Sequence, residues 1–475
     1  MRTIGNTPVG GELRAVASGA LPNGKPVVVN ADGTVSAAAS TDASTGTAVS
    51  AGFSGGGGLT VSAMSSTKFA GVAQSDSGNN NYGTAIVGTV SGSSISFGTK
   101  ADIGVAYPEK AQCVGLSDTK FVFIFKDGND ANKGKAVVGT VSGTSISFGS
   151  AVVFELGQTG LNEVNAATRL TDTTFVIAFE DASDSGKAKA IVGTVSGASV
   201  SFGAAATFAT PNSSMVATVS ALSATKVVIA WSSTPDTEAG KVIIGTVSGT
   251  SISYGSAITF DSSRIVRLSA AALSDSKFAI AYEDDRLGSQ YGTAIAGTVS
   301  GTTITLGTPV VFHSAALENK TPAITKMDAD NFAVAFRDAL NSNYGAVIQG
   351  VVSGTSISFE TKVIFSSAAS TENWTTLVSD KVVIGYNQAA LTATTYSGAS
   401  TNLTSENYIG IAKGAAADGT SAVVQTGCSI NDAQSGLTAG QAYYVQTDGT
   451  LGLTADDPSV LAGTAVSATK LIVKG

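Results

Sequence analysis

The sequence predicts an all-β protein: a seven-bladed β-propeller of four-stranded blades, with a small β-domain formed by the N- and C-terminal flanks. Three observations lead there. The composition suits short strands and tight turns, one segment recurs at a near-constant interval, and the two ends of the chain share a phrase.

At 475 residues with 43% hydrophobic content the chain buries a large core, yet 55 residues are Gly and only 13% are charged. β-Branched residues fill pleated, half-buried surfaces, while Gly and Ser supply turn conformations. The formal charge of −8 and the lack of Lys/Arg clusters argue against nucleic acid or anionic membrane as a partner, because both need a basic footprint. Cys113 and Cys428 lie far apart with no second pair of metal ligands, so both read as small buried hydrophobes. Met1 to Pro8 lack the apolar core of a secretion signal, and no later stretch is long and apolar enough for a bilayer span. The expectation is a soluble chain made in a cytoplasm, with no membrane insertion.

The recurring segment reads GTVSGSSISFG from Gly88 to Gly98 and returns at Gly139–Gly149, Gly193–Gly203, Gly245–Gly255 and Gly297–Gly307, then in altered form from Gly350 to Phe359. The interval is about 50 residues, the length of a propeller blade. A second, apolar marker precedes each copy and occurs seven times, as in Phe121–Phe125, Phe175–Phe179, Val227–Trp231, Phe278–Tyr282, Phe332–Phe336 and Val382–Tyr386. The seventh unit ends in a shortened hairpin, as a terminal repeat does.

Residues 268–312 illustrate one unit. An innermost strand near residues 268–273 is followed by a second over 277–282, a polar loop over 283–292, a third over 293–299, a Ser300-Gly301 turn, and a fourth over 303–306. Four antiparallel strands repeated seven times bury one another's faces when closed into a ring. Two segments qualify as the strand that closes it: residues 399–403, or the N-terminal flank near residues 47–53.

The domain boundaries expected from this pattern are an N-terminal β flank over residues 1–54, the propeller over 55–405 and a C-terminal β domain over 406–475. The flanks match each other. The phrase from Leu21 to Val35 aligns with that from Leu437 to Leu451, each containing an Asp-Gly-Thr turn, and both continue into Gly-Thr-Ala-Val-Ser-Ala, at Gly46–Ala51 and Gly463–Ala468. Each reads as a hairpin closed at Asp-Gly and then a further strand. The two flanks are expected to pack as one domain, with the Gly55–Gly58 run as a hinge or an adaptable turn.

A catalytic reading needs nucleophiles, bases or metal ligands held together, and the chain offers few. The single histidine, His313, follows a fourth strand and reads as a solvated loop residue. No nucleophile elbow, zinc-protease helix or phosphate-cradling loop is present. Carboxylates recur after the second strands, at Asp127, Asp130, Glu180, Asp181, Asp184, Glu283, Asp284, Asp285 and Asp338. Recurrence at one repeat position favours a structural role over a catalytic pair, with a ligand-binding rim as the alternative. No catalytic, cofactor or metal residue is assigned; the candidate ligand rim is Asp127, Glu180, Asp181, Glu283, Asp284, Asp285 and Asp338, with Trp374 as the one irregular aromatic. The aromatics ending the second strands, such as Phe179 and Trp231, follow the buried alternation and read as core.

The repeat with its upstream marker, the segment from Glu406 (ENYIGIAKG) and the ending AVSATKLIVKG from Ala465 together resemble virion structural and tail-fibre-like proteins of tailed bacteriophages, especially those of aquatic bacteria and cyanobacteria. The likeness covers nearly the whole chain, and the flank phrases are similar to small capsid cement proteins. It implies a particle-surface location, with other virion proteins and a host-surface glycan or receptor as partners and homo-oligomeric assembly; the expectation of no enzymatic activity comes from the thin inventory of catalytic residues. The leading expectation is an appendage attached by its flanks that displays the propeller to the host. The alternatives are a head decoration protein with a passive propeller and a glycan depolymerase using the rim carboxylates.

Overall fold

The computed structural model describes residues 11–53, 59–76, 82–106, 108–160, 166–210, 217–233, 238–285, 290–317, 321–388, 390–456 and 458–474. The Gly55–Gly58 run lies outside them. The chain divides into two compact units, Ser44–Gly398 and the paired segments Met1–Ala43 and Ala399–Gly475.

The larger unit is the propeller. Its third blade is typical: Ala167–Arg169 innermost, then Thr174–Asp181, Lys187–Ser196, and an outer edge in two pieces, Ser199–Phe202 and Ala206–Ala209. All pairings are antiparallel. The seven innermost strands lie side by side in order, and the last, Thr371–Val378, packs on the first, Leu59–Ala63, which closes the ring. Of the two segments eligible to complete the seventh blade, the N-terminal one does so. Thr45 and Ser44 pair with Tyr396 and Ser397, and Ser50 and Val49 pair with Thr392 and Ala393. The propeller therefore begins at Ser44 and ends at Gly398 instead of spanning 55–405. Residues 399–403 serve elsewhere, with Ser400–Thr401 pairing to Ser40–Thr41 in the smaller unit.

The repeated sequence is explained by packing. In the second strand of the third blade Phe175, Ile177 and Phe179 face Val122, Ile124 and Val138 of the preceding blade, while Val176 and Ala178 face Val227, Ile229 and Trp231 of the next. Both faces are buried, so the strand reads as an unbroken apolar run. Four aromatics near the ends of second strands each meet, edge on, a Phe from the outer strand of the preceding blade: Phe179 with Phe154, Trp231 with Phe208, Tyr282 with Phe260 and Phe336 with Phe312, at 5.3–5.4 Å between ring centres.

The glycines of the repeat have separate jobs. The first lies directly across from the Phe opening the second strand, as Gly193 does from Phe175, and a Cβ there would stand 2.3 Å from the ring. The second takes the left-handed turn, φ +62° at Gly197. The third lets the next blade approach: a Cβ on Gly149 would sit 1.9 Å from the Ala198 carbonyl oxygen. At the closure Gly46 takes this third role against Ser93 of the first blade, where a Cβ would stand 2.1 Å from the carbonyl oxygen.

The smaller unit interleaves the two ends of the chain. Its first sheet runs Glu12–Val16, Ser421–Gln425, Tyr408–Ala412, Pro26–Val29, Val35–Ala37, so strands from both flanks hydrogen-bond to each other. A second sheet contains Ile430–Asn431, Lys470–Val473, Val460–Ser467, Ala442–Val445 and Leu451–Gly452. The shared Asp-Gly phrases build the same turn twice. Asp32 accepts hydrogen bonds from the Thr34 amide and hydroxyl, and Asp448 does so from Thr450, with φ +82° at Gly33 and +73° at Gly449. The identical hexapeptides then part: Gly463–Ala468 continues the flank sheet, whereas Gly46–Ala51 forms part of the propeller's closing strand. Cys113 is buried, but Cys428 is exposed, correcting the expectation of two buried thiols, because it occupies a turn at φ +68°.

Candidate functional site

The carboxylates expected on a loop rim sit in the strands themselves. Asp127, Asp181, Asp284 and Asp338 are the last residues of second strands, and Glu180 and Glu283 precede two of them. In the third blade Asp181 accepts the amides of Ser183 and Asp184 with one oxygen and the Lys189 ammonium, at 2.7 Å, with the other. Lys189 also reaches Asp184 at 2.8 Å. Burial pushes the Asp181 carboxyl up, but the Lys189 and Ser183 hydrogen bonds outweigh it and hold the group below the ordinary carboxylate range. The second blade repeats this arrangement with Asp127, Asp130 and Lys135. In the sixth blade Lys362 binds Asp338 at 2.6 Å, arriving from the outer strand edge because the repeat position that holds Lys189 is Ala346.

The fifth blade differs again. Glu283 and Asp284 are buried, and the more exposed Asp285 pairs with Arg264, which also holds Glu238. A general acid for glycoside cleavage needs a raised carboxyl pKa. Asp130, Asp181 and Asp184 are shifted down instead, chiefly by lysine hydrogen bonds opposing desolvation. Among the described residues no group of three or more His, Cys, Asp and Glu gathers to hold a metal ion.

His313 is buried rather than solvated. It belongs to the strand Val310–Ala316, stands beside Phe336 at 5.1 Å between ring centres, and places Nε2 3.5 Å from Asp338. The outer edge of this blade continues further than the alternation suggests, which carries position 313 out of the expected loop and into the strand.

Among the rim candidates, Trp374 lines the described axial cavity. It is buried in the innermost strand of the seventh blade and lines a space of about 170 Å³ on the ring axis, to which every innermost strand contributes. One column of the repeat supplies hydroxyls there. Ser62 accepts the Gly115 amide at 2.9 Å, Thr168 the Ala221 amide at 3.1 Å, Ser220 the Ala272 amide at 2.9 Å and Thr376 the Ala63 amide at 2.8 Å. Each bond joins one blade to the next, the last from seventh to first, and satisfies an amide on an innermost strand edge that has no strand partner. These hydroxyls were not singled out from sequence because a lone Ser or Thr in a strand carries no local signal. Aligning the repeats would have exposed the column 62, 168, 220, 325 and 376.

No protein-family model matches the chain, nor does any curated protein. Among solved structures it is similar to the BP39L lectin of Burkholderia pseudomallei, with 10% identity over 73% of this chain and 98% of that one and a TM-score of 0.49. AofleA of Arthrobotrys oligospora matches at 6% identity over 72% and 96%, with a TM-score of 0.43. A protein from Lactobacillus plantarum matches at 11% identity over 65% and 84%, with a TM-score of 0.45.

Proposed function

We infer that the chain is a non-enzymatic surface protein of a tailed-phage particle, attached through the flank unit and displaying the propeller for binding to a host-surface glycan or receptor. The observation that carries this reading is the exposed apolar surface of the flank unit, which is built from both ends of the chain. In the flank unit Ile430, Leu453, Leu461 and Val466 are exposed, and Ile430 pairs across the sheet with Ile472, which suits attachment to another protein surface. The propeller also exposes Leu156, Tyr291, Val311 and Leu340, and it gathers hydroxyls on its axis. Interleaved termini support the attachment role, since a flank sheet built from both ends of the chain is joined to the propeller through two chain connections.

The depolymerase alternative finds no support in the recurring carboxylates, since Asp127, Asp181 and Asp338 each bind a lysine. Attachment is tested by replacing Ile430 and Leu461 with Asp in the full chain and measuring its incorporation into particles by mass spectrometry. The expected outcome is loss of incorporation with the propeller still folded. Unchanged incorporation would remove the attachment role from this surface.

A further inference from the structure

The axial cavity is rich in hydrogen-bond donors, and its described lining residues include no acid. A serine or threonine hydroxyl has one hydrogen to donate and two lone pairs to accept with. Ser62, Thr168, Ser220 and Thr376 each accept one amide of a neighbouring blade, so one of two lone pairs is engaged while the hydroxyl hydrogen is left to donate. Thr375 adds a buried hydroxyl with no hydrogen-bond partner among the described residues. Lys326 is the one charged residue among the described lining, which includes no Asp or Glu.

A buried polar surface demands partners for its donors, and this one carries a positive charge, so the complementary occupant is an acceptor-rich anion. The volume of about 170 Å³ is that of roughly five or six liquid waters and lies below the roughly 300 Å³ at which pockets for drug-sized ligands begin. Trp374 adds an aromatic side chain to the lining, of the kind that packs on the apolar face of a sugar ring.

We propose that the axial cavity binds a hydroxylated carboxylate of about monosaccharide size, such as a hexuronate, with Lys326 receiving the carboxylate and the ring of hydroxyls donating to it. This deepens the surface-binding reading by naming an acidic sugar as the ligand class, and its setting rests on that reading.

The test is calorimetric titration of the full chain with glucuronate, glucose, acetate and phosphate, repeated on Lys326→Met and Thr375→Val. The expected result is one site for glucuronate. Glucose should bind about tenfold or more weaker and Lys326→Met should lose a similar factor, as removal of a charge-assisted hydrogen bond does, while Thr375→Val should lose about threefold. Melting curves confirm that the variants are folded. No glucuronate binding, equal binding of glucose, or full affinity in Lys326→Met overturns the proposal. Acetate or phosphate binding as tightly as glucuronate also overturns it, showing a generic anion site instead of a sugar site. Failure here with cell binding by the full chain intact sinks the cavity site alone, whereas absence of cell binding sinks the surface-binding reading.

Discussion

Replacing Gly193 with Ala tests whether the repeat is conserved within the chain for packing. Gly193 lies across from Phe175, and a Cβ on it would stand 2.3, 2.5 and 2.8 Å from three ring atoms. Phe175 is fully buried against the preceding blade, so the ring has no space into which to retreat. Such overpacking costs about 1–3 kcal/mol, and this site belongs at the upper end. The fourth blade is an internal control. There Gly245 faces Val227 instead of a Phe, and its nearest contact would be 3.0 Å. Gly245→Ala is expected to cost under about 1 kcal/mol. The double variant Phe175→Val with Gly193→Ala gives the third blade the Val/Ala pair that Gly245→Ala creates in the fourth, and should recover part of the loss. Equilibrium urea denaturation of the three variants reads the differences. Equal destabilisation by Gly193→Ala and Gly245→Ala would falsify the argument that the ring dictates the glycine.

Other consequences are more local. Thr376→Val removes the acceptor for the Ala63 amide at the junction of seventh and first blades, and should cost about 1–3 kcal/mol, with Thr376→Ser restoring most of it in the same denaturation assay. Lys189→Met leaves the Asp181 carboxylate buried without its cation and should cost about 3 kcal/mol; a loss below about 1 kcal/mol would mean the turn amides suffice alone. Because Asp181 and Asp184 titrate below the ordinary carboxylate range in the folded state, their contribution is present above about pH 4 and disappears as pH falls through the lowered folded values. His313 has its pKa pushed down by burial, with Asp338 offsetting part of the shift. The folded state therefore resists the proton, and stability should fall as pH drops below about 6.5, with a slope of up to about 1.4 kcal/mol per pH unit. His313→Gln should flatten that slope, and an unchanged slope would assign it to another group.

The propeller was legible because its period and its apolar runs are written in consecutive residues. Ring closure was not, since the pairing of Ser44 and Thr45 with Ser397 and Tyr396 links residues some 350 apart, and the hexapeptide at Gly46–Ala51 resembles the flank strand at Gly463–Ala468 as closely as any propeller strand. The carboxylates were visible as a recurring column, but their fate depended on lysines from the facing strand, such as Lys135 and Lys189, or from farther along the same blade, as with Lys362. The axial hydroxyls were hidden for a different reason. Their role comes from seven innermost strands meeting at one axis, and each Ser or Thr alone is an unremarkable strand residue.

The measurement that bears most directly on the account is binding of the labelled full-length chain to host cells, with competition against adsorption of the particle that carries it. The account predicts saturable binding that blocks adsorption. Absence of binding at high concentration would contradict it and leave the propeller as a passive decoration.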